Sequence, residues 1–196
     1  ESMIKSFGAD AVRWFILSDS PPEKDVQWSN QGVNASHKFL QKLYNLMITI
    51  KNRPDSKGTL NKEFEGSINN YIVKITNLIN NFQLNVAVAN IYEIFNLFSS
   101  HLNRDTSNTC LKSSFINLMK ILIPFTPHLA NECLEQLNEK NMDNWPEIDK
   151  TSISSQKIKV AVQIDGKTRE VVQVTKDLSE NQFLEEIKKF DKISKY

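Results

Sequence analysis

Apolar residues return at helical spacing over most of the chain and switch to alternation near its end. In residues 3–18, Ile4, Phe7, Ala11, Trp14, Phe15 and Leu17 recur with the period of one helix. Gly8 weakens its first turn. Ser20, Pro21 and Pro22 stop it, because proline lacks the amide hydrogen that a helix interior needs. After a loop at 23–30, the pattern predicts a second helix over 31–52. Its buried stripe is Val33, Phe39, Leu40, Leu43, Tyr44, Met47 and Ile50, with Lys38, Lys42, Asn45 and Thr49 on the opposite side. Pro54, Asp55 and Gly58 mark a loop over 53–62. Further helices are expected over 66–82, 85–102 and 110–123. Pro124 and Pro127 break the last of these, and a short helix over 127–138 follows. Long helices joined by short loops imply a bundle.

The pattern changes after Trp145-Pro146. Residues 151–156 are small and polar, as in a linker. Ile158, Val160, Val162 and Ile164 then alternate with polar or small residues, and Asp165-Gly166 suits a hairpin turn that requires positive φ. A strict two-residue turn would set Val162 opposite Arg169. One extra residue bulged at the turn aligns Val160 with Val172 and Ile158 with Val174, which keeps the apolar set on one face. A helix over 179–190 opens with Ser179 as N-cap and Gln182 three places on. Lys195 and Tyr196 read as the start of another strand. The expected fold is therefore mainly α, a helix bundle followed by a small, truncated α+β module.

Hydrophobic residues make up 40% of the 196 positions and charged residues 24%, which excludes a disordered chain. The formal net charge of +1 names no partner. Its distribution is uneven. Residues 31–62 hold six basic side chains (Lys38, Lys42, Lys51, Arg53, Lys57, Lys62) against Asp55 alone, a local balance of +5, while residues 63–156 balance to −4. The basic stretch is either a solvated helix face or a guide for a polyanion. Cys110 and Cys133 lie in no CxxC or Cys/His cluster, so a reduced, intracellular chain is expected. No signal peptide or membrane-length apolar run is visible. Glu1 rather than Met opens the sequence, and the expectation is that it begins within a longer protein.

A search for catalytic chemistry finds no phosphate loop, nucleophile elbow or metal-ligand spacing. His37, His101 and His128 are isolated from one another, and Glu132, Glu135 and Glu139 share a helix face as solvated acids do. Trp14 reads as core, whereas Trp28 and Trp145 read as pins for loops. The hairpin is more suggestive. Lys157, Lys159, Lys167 and Arg169 crowd it, with Lys176 nearby. Such charges either protect an edge strand or touch phosphates.

Several segments resemble one family. Phe7–Leu17, with its Gly-Ala-Asp-x-x-Arg core, is similar to the stretch after the KMSKS loop of class I aminoacyl-tRNA synthetases. Pro-Pro-Glu-x-Asp-x-x-Trp-Ser-x-x-Gly, Pro21 to Gly32, is closer to the leucyl-tRNA synthetases than to the valyl, isoleucyl or methionyl enzymes. Pro124–Leu137 and Trp145-Pro146 fit the same family, and Lys159–Val174 looks like the hairpin of the bacterial-type leucyl enzyme's C-terminal domain. Asp165 stands where that hairpin usually has Asn, and Glu170, where Gly is usual, adds a negative charge beside Arg169.

The resemblance covers nearly the whole chain in family order. It implies a linking region at 1–30, an anticodon-binding helical bundle at 31–150 and an incomplete C-terminal tRNA-binding module at 156–196. It implies a leucine–tRNA ligase parent, a cytoplasmic monomer that uses ATP with Mg, leucine and leucine-accepting tRNA. The catalytic, zinc and editing parts would all precede Glu1, so no catalytic, cofactor or metal residue carries over to this chain. The candidate RNA contacts are Lys38 and Lys42 on the second helix and Lys157, Lys159, Lys167 and Arg169 on the hairpin. The competing readings are a helical interaction protein without an RNA role and an independent enzyme. The first leaves the hairpin unexplained, and the second lacks a convergent polar pocket.

Overall fold

The computed structural model describes residues 1–55, 58–142, 144–148, 157–164, 167–175 and 183. The chain divides into two compact units, Glu1–Ser152 and Ile153–Tyr196. In the first, seven helices stand among the described residues: α1 (Ser2–Phe7), α2 (Ala9–Asp19), α3 (Asn30–Asn52), α4 (Lys62–Asn80), α5 (Leu84–Leu102), α6 (Asn108–Leu122) and α7 (Pro127–Gln136). The mainly helical expectation holds. The single helix expected over 3–18 does not, because Gly8 splits it with φ 84° and ψ 157°, a backbone region open essentially to glycine alone. The helix expected from 66 begins a turn earlier. Asn61 caps it by accepting a hydrogen bond from the Phe64 amide at 2.9 Å, which lets Phe64 enter the core.

The core gathers around Trp14 on α2, which is fully buried. Its indole stacks on Phe39 of α3 at 5.3 Å and meets the edges of Tyr92 of α5 and Phe125. The indole N–H donates to the Tyr92 hydroxyl at 3.0 Å, so the polar atom goes inside with a partner. A second aromatic chain, Phe64–Phe98–Phe115, joins α4, α5 and α6. Most of the expected α3 stripe is buried; Tyr44 is only half-buried, and Ser36 and Leu46 are buried in addition.

Two loops are tied together where α3–α4 meets α5–α6. Thr59 and Thr106 form an isolated parallel bridge, with Ser107 N–H donating to the Thr59 carbonyl at 2.7 Å. Gly58 makes that approach possible, since a Cβ there would lie 2.5 Å from the Thr106 backbone. The buried His101 ring lies 2.9 Å from the Thr106 hydroxyl through Nδ1.

In the second unit, β1 (Lys157–Ile164) and β2 (Lys167–Thr175) pair antiparallel. Ile158 pairs with Val174 and Val160 with Val172, and the register shifts between Val162 and Gln163. The bulged register therefore wins over the strict one. Arg169 is the extra residue, since Val162 pairs with Glu170 and Gln163 with Thr168. The expected linker at 151–156, the 165–166 turn, the helix at 179–190 apart from residue 183, and the strand start at 195–196 lie outside the described residues.

Two stability tests arise here. At the end of α4, Gln83 N–H donates to the Leu78 carbonyl and Phe82 N–H to that of Ile79, a helix stop that places Phe82 at φ 57°. The same stop after α7 uses Asn138 at φ 60°. A bulky residue pays for a left-handed backbone, and Phe82 is 70% exposed, so it recovers little by burial. Phe82→Asn is expected to raise the unfolding free energy by about 0.5–1 kcal/mol in urea titration; a loss of stability would contradict this account. The second concerns pH. Burial, aided by Arg104 and opposed by Glu63, lowers the His101 pKa below its ordinary 6.5. The neutral ring's contribution is then present above pH 6.5 and lost as pH falls through the lowered folded value. His101→Gln should flatten that part of the stability–pH profile.

Candidate nucleic-acid interface

The residues that carried the family resemblance occupy structural positions. Asp10 and Arg13, the acidic and basic members of the Gly-Ala-Asp-x-x-Arg core, both reach the corner between α6 and α7. Asp10 accepts from the Leu129 amide at 2.8 Å and lies 2.8 Å from His128 Nδ1, capping the first turn of α7. Arg13 donates to the carbonyls of Pro124 at 2.9 Å and Phe125 at 3.3 Å. In the Pro21–Gly32 pattern, Trp28 packs edge-on against Phe15 at 5.5 Å, Ser29 caps α3, and Gly32 leaves room for the Phe15 ring. A Cβ at Gly32 would fall 2.4 Å from that ring. Trp145 donates to the Thr76 hydroxyl at 3.1 Å. The three tryptophans thus act as expected, one in the core and two holding loop segments.

The basic stretch separates into used and unused cations. Lys51 donates to Gln136, and Arg53 to the Arg104 carbonyl at 3.3 Å. Lys57 lies outside the described residues. Lys38 and Lys42 are exposed, one turn apart on α3, and neither makes an ion pair among the described residues. On the hairpin, Lys157 stands opposite Thr175 in the register, Lys159 opposite Gln173 and Lys167 opposite Ile164, while Arg169 is the bulged residue. The side chains of these four, and all of Lys176, lie outside what is described.

Beside the two α3 lysines runs a feature that the sequence reading missed. A groove of about 510 Å³ is lined by His37, Leu40, Gln41, Tyr44 and Asn45 of α3 and by Leu129 of α7. His37 Nδ1 donates to the Phe7 carbonyl at 2.9 Å, and the Gln41 amide lies 3.0 Å from Nε2. A carbonyl can only accept, so in the neutral ring Nδ1 carries the proton and Nε2 accepts from Gln41. The signal for this groove was present in the alternation of amides with lysines at 38, 41, 42 and 45. Only the arrival of Leu129 from far along the chain turns it into a concavity.

Among the described residues no group of three or more His, Cys, Asp or Glu side chains could hold a metal ion. Burial pushes the Cys133 thiol up to about 12, with Glu132 adding to it. Burial does the same to Cys110, helped by Glu65. Neither is a ready nucleophile. Glu139 is held below its ordinary value by the Asn141 amide and by Lys120, its ion-pair partner at 3.2 Å. No helix among the described residues is long and apolar enough to cross a membrane.

The family described as "Anticodon-binding domain of tRNA ligase" matches residues 61–185. A leucine–tRNA ligase of Rickettsia bellii is 35% identical across the whole chain, which corresponds to 24% of that protein. One from Petrotoga mobilis is 34% identical across the whole chain and 26% of its own length. The chain thus spans about a quarter of the curated relatives it matches. Among solved structures, the chain is similar to a ternary LeuRS–tRNA–LeuAMS complex from Agrobacterium radiobacter K84, with a TM-score of 0.80 at 24% identity over 99% of this chain and 27% of that one.

The corner contacts predict a loss of stability when either side chain is removed. Asp10→Asn is expected to cost about 1–2 kcal/mol and Arg13→Met about 1–3 kcal/mol in thermal or urea unfolding. Losses below about 0.3 kcal/mol for both would show that the α6–α7 corner holds itself.

Proposed function

Since the chain belongs to the anticodon-binding domain family of tRNA ligases, we propose that it is the tRNA-holding part of a leucine–tRNA ligase. The observation that carries this reading is that named leucine–tRNA ligases align with it from end to end. The parent enzyme joins leucine to its tRNA with ATP and Mg in the cytoplasm, as a monomer. The present residues position the nucleic acid and perform no bond-making step. Residues 1–30 link the bundle to the catalytic part, 31–150 form the anticodon-side bundle, and 156–196 supply the C-terminal contact.

The contacts are electrostatic. Lys38 and Lys42 serve phosphates along one helix, and Lys157, Lys159, Lys167 and Arg169 serve the hairpin. Phosphate contacts fix register without reading sequence, which suits a module that holds a tRNA while chemistry proceeds elsewhere. Each contact releases counterions, so affinity falls with salt.

Titration of the chain with leucine tRNA over a salt series tests the assignment. Lys38→Ala/Lys42→Ala should lower the slope of log affinity against log salt by about two, one per lost contact. The hairpin set should behave alike. An unchanged affinity and slope with all six side chains neutralised would refute the contact assignment.

A further inference from the structure

A cavity of about 300 Å³ lies between α4, α6 and the segment 144–148. Glu65 and Asn69, one turn apart, line it from α4, and Ser113, Ser114 and Asn117 line it from α6. Glu147 and Ile148 join them from the segment after α7. That segment is held in place, because Trp145 donates to the Thr76 hydroxyl of α4 at 3.1 Å and Ile148 packs against the core. Neither Lys38 nor Lys42 lines this cavity.

Two features of the lining ask for a partner. Ser114 is only 5% exposed. Other helical serines and threonines return their hydroxyl to a carbonyl of the preceding turn, as Ser67, Thr76, Ser99 and Ser113 do. The Ser114 hydroxyl makes no such bond and no other among the described residues. It is not sealed into the packing either, so it opens on the cavity that Ser114 lines. A hydroxyl taken out of bulk water without a partner costs stability. The second feature is charge. Glu65 and Glu147 make no ion pair among the described residues. The Cys110 thiol is raised to about 12 by burial and by the neighbouring Glu65, so it stays neutral and cancels none of that charge.

These features select an occupant. Two carboxylates repel an anion, and a neutral ligand leaves them unmatched. A metal ion finds no group of three or more His, Cys, Asp or Glu side chains among the described residues, and two carboxylates hold a divalent cation only with much of its water retained. A primary ammonium carries one charge and three N–H donors, which carboxylate and hydroxyl oxygens satisfy. Ile148 gives a methylene chain a surface to lie on, as the stems of lysines use apolar surface. Two carboxylates match two ammonium groups, and about 300 Å³ stands at the lower end of small-ligand sites. We infer that the cavity between α4, α6 and the 144–148 segment binds a short aliphatic diamine, its ammonium groups on Glu65 and Glu147 and one of them donating also to the Ser114 hydroxyl. This goes beyond the tRNA-holding reading and stands without it.

Calorimetric titration of the whole chain with 1,4-diaminobutane, without RNA and at constant ionic strength, tests the inference. Saturable binding is expected, and Glu65→Gln/Glu147→Gln should weaken it about tenfold or more, because hydrogen bonds between charged partners are the strong ones. Butylamine, with a single ammonium group, should also bind about tenfold more weakly. Ser114→Ala gives a readout of two opposite signs. It should weaken the diamine severalfold, yet leave the free chain as stable or more stable in thermal unfolding, because a methyl group replaces an unpartnered hydroxyl. The diamine should raise the unfolding temperature of the unaltered chain and leave that of the double variant unmoved. An absence of saturable binding, or an affinity unchanged in both variants, would overturn the inference. So would displacement of the diamine by an equal concentration of magnesium chloride, which would make the cavity a divalent-cation site.

Discussion

Between α6 and α7 the chain turns through Pro124 and Pro127, and the backbone groups there lose the partners a continuous helix would give. Arg13 takes the carbonyls of Pro124 and Phe125, and Asp10 takes the first-turn amide of α7. Both come from one turn of α2, and Trp14, the residue after Arg13, drives into the core against Phe39, Tyr92 and Phe125. Hydrogen bonds fix where α7 starts, and the indole fixes how α2 sits on α3 and α5. Truncating such a buried aromatic costs about 3–5 kcal/mol, a large share of a domain's stability. The groove beside α3 depends on this corner, because Leu129, which lines it from α7, is the residue whose amide donates to Asp10.

That arrangement explains why the motifs most useful for recognising the family are not chemical. Asp10 and Arg13 cap and clamp, Gly32 accommodates the Phe15 ring, and Gly8 admits a sharp break between two helices. Gly8 is restricted by backbone geometry, Gly32 and Asp10 by close packing or burial, and Arg13 by the two carbonyls it serves. Contacts with a polyanion are looser, since any exposed cation at about the right place can serve a phosphate. A recognition surface of this kind leaves a weaker imprint on sequence than the scaffold that presents it.

The described surface of α3 shows how the two levels combine. Lys51 and Arg53 look equivalent to Lys38 and Lys42 as charges, yet they are engaged with Gln136 and the Arg104 carbonyl. Within α3, Lys38 and Lys42 are the cations with neither a hydrogen bond nor an ion pair among the described residues. Those that remain share a helix with the amides of Gln41 and Asn45, so charge and hydrogen-bonding capacity face the same neighbourhood.

Helical periodicity, the proline breaks and the alternation after residue 157 were legible in the sequence, because they follow from local backbone preference and from which face must leave water. Even the hairpin bulge could be read, since only one register pairs Val160 with Val172. Other features depended on partners distant along the chain. The early start of α4 follows from the Asn61 cap together with the place that Phe64 finds against Phe98. Tertiary packing alone decided that Asp10 caps a helix more than a hundred residues away and that Leu129 closes a groove beside α3. The sequence by itself determined the elements and their buried faces; the fold decided which polar groups find partners at long range and which stay open to a ligand.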